Sequence, residues 1–386
     1  MELHLTEQKD IVAFLGKAAS RRASDIHMVP GRERVDVLLR IDGCLVKEGH
    51  MDKEEYALFL AALKKLCAVN PAEHRIPQDG RFIAGVQDRQ VDFRVAFLPA
   101  VFAEKTTVRI LDKLKITFDF KDIFVSQAEI DQVEDLLKYG HGLILVNGPT
   151  GSGKTTTLYS LIKRYVEKGL AVVTVEDPVE YVLKGTVQTQ VDRGLGMTFP
   201  ALLRSCLRAD PDVVMAGEVP DTETMDILEK IAITGHICVS CLHTGNVAET
   251  IARLQQVSSS TYLLSASLLA VLNQVLLRKP CPNCKYAYTP QAREFELFGK
   301  APKAVSFVKS KGCDICSHTG YKGRLAVYEM LCLDKQIKDA IMAGEPLGPV
   351  LAGKYRTFKE KAYDLVEQGL TTVEEVDRVF GFSLEA

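Results

Sequence analysis

The sequence predicts an α/β chain of several domains, organised around a doubly wound parallel sheet of nucleotide-binding type. Three observations predict it. Short, nearly continuous apolar runs at 142–146, 171–175, 213–216 and 237–242 have the texture of strands covered on both faces. Helical stretches such as 156–168 and 222–232 separate some of them. Directly after the first run, Gly148-Pro149-Thr150-Gly151-Ser152-Gly153-Lys154-Thr155 fits G-x-x-x-x-G-K-[ST] at every required position.

At 386 residues the chain exceeds the usual size of one hydrophobic core. It is 47% hydrophobic and 25% charged, as ordinary folded proteins are, and its formal net charge of −2 gives no global argument for nucleic-acid binding. No apolar run is long enough to span a bilayer. Residues 1–10 lack the basic and apolar regions of a signal peptide. A cytoplasmic location is expected, with any membrane association made through a partner.

Residues 1–112 read as a small α+β domain. Residues 11–19 are apolar at helical spacing, 35–41 and 90–97 alternate as half-buried strands do, and Asp42-Gly43 suits a hairpin turn. Residues 113–123 read as a linker and 124–279 as the nucleotide-binding domain. A cysteine-containing, loop-rich insert follows at 280–329, and a helical region at 330–386, with periodic apolar residues near 337–341 and 363–370.

The glycines of the phosphate motif let the backbone curl so that successive N–H groups face phosphate oxygens, and the helix that follows adds its positive end. Lys154 should reach the β- and γ-phosphates, the Thr155 hydroxyl should coordinate Mg²⁺, and Thr156 closes the stretch expected to contact the nucleotide. Ligands of open α/β sheets bind beyond the carboxyl ends of the strands, so polar groups there are the next candidates. Glu176, Asp177 and Glu180 crowd one strand end, where carboxylates hold Mg²⁺ through water or orient the attacking water; the plain alternative is a solvated acidic loop. Glu218 follows the run 213–216 and is the leading candidate to polarise the lytic water, with Gly217 where an aspartate often stands. His243 ends another strand. It either donates to the γ-phosphate or is satisfied by a backbone carbonyl, and His236 is open to both readings.

These residues resemble the secretion ATPases of type II secretion and type IV pilus systems. The similarity lies in 148–159 (GPTGSGKTTTLY, Walker A), 176–181 (EDPVEY, Asp box), 207–218 (LRADPDVVMAGE, atypical Walker B) and 234–244 (TGHICVSCLHT, His box). It extends to 23–30 (ASDIHMVP), 40–45 (RIDGCL) and 78–81 (QDGR). The resemblance implies a RecA-like ATPase domain behind a PAS-like N-terminal domain. It also implies a hexameric ring in which each ATP site is finished by a neighbour's arginines: Arg81, Arg94 and Arg109. The implied partner is an inner-membrane platform protein, with the ATPase cytoplasmic and peripheral to that membrane. Val219-Pro220-Asp221 departs from the family's usual Ile-Arg-Asp. The extra leading domain of many secretion members is expected to be missing.

Cys281, Cys284, Cys313 and Cys316 form two C-x-x-C pairs, each able to give two thiolates to one tetrahedral ion. Structural zinc is expected, with a redox role as the alternative. With Thr319-Gly320-Tyr321-Lys322-Gly323-Arg324, the segment resembles the cysteine module of assembly-type ATPases, which implies pilus extension or secretion over retraction. The expected cofactors are ATP, Mg²⁺ and Zn²⁺. Two other functions stay open: a nucleic-acid translocase, and a regulatory nucleotide-binding subunit with weak catalysis.

Overall fold

The computed structural model describes residues 2–87, 89–112 and 118–381. The 113–117 part of the expected linker and residues 382–386 of the expected helical region lie outside the described residues. The chain divides into two compact units. The first takes the residues up to 112 together with Pro280–Tyr286 and Ser310–Gly323; the second takes residues 118–279, Ala287–Lys309 and residues 324 onward.

The first unit runs α1 (Gln8–Ser20), β1 (Ala23–Pro30), β2 (Val35–Ile41), β3 (Cys44–Met51), α2 (Lys53–Leu66), β4 (Gln78–Val86), β5 (Arg89–Leu98) and β6 (Lys105–Leu111). The strands form one sheet in the order β3-β2-β1-β6-β5-β4, antiparallel at each pairing. The β2–β3 turn is the one its residues favour. Asp42 and Gly43 have φ of 48° and 87°, as a two-residue hairpin requires, and Ile41 pairs with Cys44. Alternation in β2 sends Val35, Val37, Leu39 and Ile41 into the core against Phe14, Phe59 and Phe93. Lys64 is fully buried there because Glu104 meets its ammonium with both carboxylate oxygens, at 2.8 and 2.9 Å.

The second unit opens with α3 (Phe120–Ile123) and α4 (Gln127–Leu136). It continues through β7 (Gly142–Asn147), α5 (Lys154–Glu167), β8 (Val172–Glu176), β9 (Thr186–Gln190), α6 (Phe199–Cys206), β10 (Val213–Ala216), α7 (Thr222–Ile233), β11 (Ile237–Ser240), α8 (Val247–Val257), α9 (Thr261–Ser267) and β12 (Leu268–Pro280). A small sheet of β13 (Lys285–Tyr288) and β14 (Phe307–Ser310) flanks α10 (Ala292–Glu296). β15 (Tyr321–Cys332) and helices α11 (Lys335–Ala343), α12 (Gly348–Leu351), α13 (Phe358–Glu367) and α14 (Val373–Phe380) close the chain.

Seven strands lie in the order β15-β12-β7-β11-β10-β8-β9, parallel from β12 to β9. Both faces are covered, so the strands read as unbroken apolar runs. Leu143 and Leu145 of β7 pack into a core with Met225, Ile251 and Ile337, while Ile144 and Val146 pack on the other face with Leu158, Ile162 and Tyr328. The helices start at residues whose side chains accept a free N–H group of the first turn: Ser126 for α4, Asp221 for α7, Asn246 for α8 and Thr357 for α13.

Two expectations need correction, and one strand carries no sequence signal of its own. Residues 120–123, read as linker, form α3 and bury Phe120 and Ile123, because those two side chains complete the core under α5. Residues 321–328, read as part of a loop-rich insert, begin the 12-residue strand β15. Lys322, Gly323 and Arg324 break the apolar pattern at its start, and the buried run begins only at Leu325. β12, a 13-residue strand beside β7, was not anticipated, since its leucine-rich run has no period that separates a buried strand from a buried helix.

Glu229 of α7 is fully buried, and the Ser258 hydroxyl donates to its carboxylate at 3.0 Å. Burial pushes its carboxyl up to about 7, with Asp226 adding to the rise and Ser258 and Lys230 opposing it. The native state therefore binds this proton more tightly than the unfolded chain, so stability falls as pH rises from about 4.5 towards 7. Glu229→Gln should remove that loss: its thermal midpoint should match wild type at pH 5 and exceed it at pH 8, by a stability difference of up to about 3 kcal/mol.

Candidate nucleotide site

The phosphate loop leaves β7 at Asn147 and enters α5 at Lys154. It turns through positive φ at Gly148 (146°), Gly151 (80°) and Gly153 (90°). At Gly148 the constraint is also steric: a β-carbon there would collide with the Gln274 carbonyl oxygen of β12 and with the Ser152 hydroxyl. The Gln274 amide group in turn donates to the Ser152 carbonyl, so the neighbouring strand supports the loop from below. Ser152 and Lys154 are buried, Thr155 is exposed in the first turn of α5, and Thr156 is half-buried beside it.

Lys154 curls back into its own loop. Its ammonium donates to the carbonyls of Gly148 at 2.7 Å and Pro149 at 3.1 Å, and to His243 Nδ1 at 3.3 Å. Burial lowers its pKa from the usual lysine value, opposed by the nearby Cys241 and Glu218. With Nδ1 accepting, the imidazole carries its proton on Nε2, which lies 3.5 Å from a Glu218 carboxylate oxygen. Lys154, His243 and Glu218, expected separately from three strand ends, thus form one chain of contacts at the mouth of the loop.

Buried amides hold the His243 strand end. Asn147 and Asn273 face each other on β7 and β12. Asn147 Oδ1 accepts from Leu242 N at 2.7 Å, and Asn273 Nδ2 donates to the Thr244 carbonyl at 3.2 Å. The Thr244 and Thr250 hydroxyls meet at 2.6 Å, and Thr250 also donates to Asn273 Oδ1 at 2.9 Å. The sequence reading missed Asn147, Asn273, Gln274 and Thr250. The available signal was Asn273-Gln274 inside an otherwise apolar run, because a buried amide demands partners.

Glu176 departs from expectation. It is buried, and its carboxylate accepts from the Tyr159 hydroxyl, from Thr174 Oγ1 at 2.6 Å and from Gln188 Nε2 at 3.0 Å. Every residue of β8 is buried, and the last side chain of the strand links α5 to β9 through these bonds. Asp177 pairs with Arg193 at 2.8 Å, and Glu180 is half-buried beyond it. His236 takes the plain reading, its Nδ1 lying 3.3 Å from the Ile231 carbonyl at the end of α7.

Arg81, Arg94 and Arg109 lie in the first unit as a row across three strands. Arg81 pairs in register with Arg94, Arg94 with Arg109, and Arg109 with Asp25 of β1. Arg81 forms a two-pronged bridge to the buried Asp92 at 2.9 and 2.6 Å, and Arg109 Nε donates to Asp25 at 3.0 Å. The four module cysteines also belong to this unit. Their sulfurs all lie within 4.8 Å of one another, with Cys281–Cys313 at 3.9 Å, Cys284–Cys316 at 4.0 Å and Cys313–Cys316 at 3.7 Å. Four ligands around one ion at about 2.3 Å stand about 3.8 Å apart, whereas a disulfide needs about 2.05 Å.

Residues 5–378 match the family of Type II/IV secretion system proteins. The chain belongs to that family. It is 38% identical over 372 residues to the Type II secretion system protein E of Klebsiella pneumoniae, covering 96% of this chain and 75% of the relative. It is 36% identical over 376 residues to the Type IV pilus assembly ATPase PilB of Thermus thermophilus, covering 96% of this chain and 42% of that protein. A solved structure of the pilus retraction motor PilT with bound ADP superposes with a TM-score of 0.64 at 27% identity, covering 97% of each chain. This secretion-family chain thus shares its α/β architecture with a protein whose structure was solved with a nucleotide.

Because Gly148 tolerates no side chain, Gly148→Ala should raise the Kd for an ATP analogue at least about tenfold while far-UV circular dichroism stays at wild type; isothermal titration reads the first and the spectrum the second.

Proposed function

We propose that this chain hydrolyses ATP and uses the energy to drive type II secretion or type IV pilus assembly. The observation that carries the reading is the convergence of Lys154, His243 and Glu218 at the mouth of a strand–loop–helix phosphate motif. Membership of the Type II/IV secretion system family supports the same reading.

The loop N–H groups and the start of α5 would cradle the phosphates from Gly148 to Thr156. Lys154 is a buried cation whose partners here are two carbonyls and an imidazole, so phosphate oxygens would supply the countercharge it lacks. Glu218 would orient water for in-line attack on the γ-phosphate, and His243 would turn its Nε2 proton from Glu218 to that phosphate when it is present. The exposed Thr155 hydroxyl fits a ligand of Mg²⁺, which neutralises phosphate charge when bound.

Of the expected catalytic carboxylates, Glu218 would act on the water, while Glu176 would serve as an internal brace. Glu180 would contribute from the rim. The row Arg81–Arg94–Arg109 of a neighbouring copy would stabilise transferred charge, in the hexameric ring that the family resemblance implies. An inner-membrane platform protein is the partner such a motor would turn, with the ring on the cytoplasmic face.

Zinc is the ion that four thiolates at this spacing fit best. All four positions would be filled by protein, so the metal would hold the module together and leave no site for chemistry. Purified protein should contain about one zinc per chain by elemental analysis. A Cys281→Ser, Cys313→Ser double variant should contain none and melt at lower temperature.

The experiment that tests the reading is steady-state phosphate release by wild type and by Glu218→Gln. We expect kcat to fall at least about 100-fold in the variant while ATP-analogue affinity stays within about threefold. Binding without turnover by the wild-type ring would overturn the motor reading.

A further inference from the structure

Glu329 lies in β15 with 4% of its surface exposed. Its two oxygens serve two helices. Oε2 accepts from Val247 N and Oε1 from Phe358 N, both at 2.9 Å. Val247 is the first residue of α8 and Phe358 the first of α13. One buried carboxylate therefore sits on two positive helix ends at once.

Neither helix depends on Glu329 for its ordinary cap. Asn246 already accepts from Glu249 N, and Thr357 already accepts from Glu360 N. Glu329 satisfies the preceding N–H of each helix and so ties the two helix starts together. The helix α8 begins just after His243. The connecting loop is anchored on its strand side by Asn147 and Asn273, and on its helix side by Thr250 and by this carboxylate.

We propose that Glu329 is a positioning residue for His243: by pinning the start of α8 to the start of α13, it sets the angle at which His243 meets the terminal phosphate. The proposal rests on the reading of His243 as the γ-phosphate contact. It also gives α13 a rigid connection to the nucleotide site, through one side chain.

The test is a double-mutant cycle on the full chain. Glu329→Gln keeps the shape but has one acceptor oxygen where two N–H groups need one each. The affinities for ADP and for a non-hydrolysable ATP analogue, with kcat and KM, are measured for wild type, Glu329→Gln, His243→Ala and the double variant. We expect His243→Ala to lower the preference for the ATP analogue over ADP by about tenfold. Glu329→Gln should lower it by about three- to tenfold through the analogue alone, with ADP affinity unchanged, and the double variant should be no worse than His243→Ala. If Glu329→Gln leaves the preference intact while His243→Ala lowers it, or if the two losses multiply, the positioning role is overturned. If His243→Ala itself changes nothing, the reading of His243 fails and this proposal with it. Thermal unfolding checks that each variant folds. Should Glu329→Gln fail to fold, Glu329→Asp, which keeps the charge and shortens the reach, carries the same expectations.

Discussion

The close approach of the Gly148 backbone to the Gln274 carbonyl fixes where the phosphate loop lies, and the rest of the site is arranged around it. β7 and β12 are parallel neighbours, so the loop leaving β7 must pass over the residues of β12 beside it. Only a glycine allows that passage. Once the loop is seated, Lys154 reaches the carbonyls of Gly148 and Pro149, and α5 leaves in a direction set by the sheet.

The parallel sheet does the remaining positioning. Its strands deliver their carboxyl ends to one edge, so Glu218 after β10 and His243 after β11 arrive beside Lys154 without any direct sequence link. The polar groups at the strand ends are answered: the buried Asn147, Asn273 and Thr250 under the His243 loop, and the buried Tyr159 and Thr174 with the half-buried Gln188 around Glu176. Such networks are rigid because each lost bond strands another buried group.

Much of this was legible in the sequence. The phosphate motif has a fixed spacing and context, and β7, β8, β10 and β11 announce themselves as apolar runs, with a helix directly after β7, β10 and β11. The Asp42-Gly43 turn is dictated by two residues that tolerate positive φ. What was not legible depends on tertiary contact. The run 268–280 carries no helix or strand period, and its role beside the phosphate loop emerges only from its pairing with β7. Glu176 looked like a site carboxylate because it ends a strand, but three donors from α5, β8 and β9 enclose it. Glu329 gave no signal at all, since its two partners are backbone N–H groups 82 residues before it and 29 after.

The proposed mechanism places His243 between Lys154, which would bind phosphate, and Glu218, which would orient water. Nitrogen-15 NMR of the histidine-labelled protein, with the His243 signal assigned through His243→Gln, reads both ring nitrogens directly. The account predicts that an ATP analogue with Mg²⁺ shifts the His243 Nε2 resonance, that ADP leaves it near its nucleotide-free position, and that the other histidines stay largely in place. An Nε2 resonance that is the same with the ATP analogue and with ADP would contradict it.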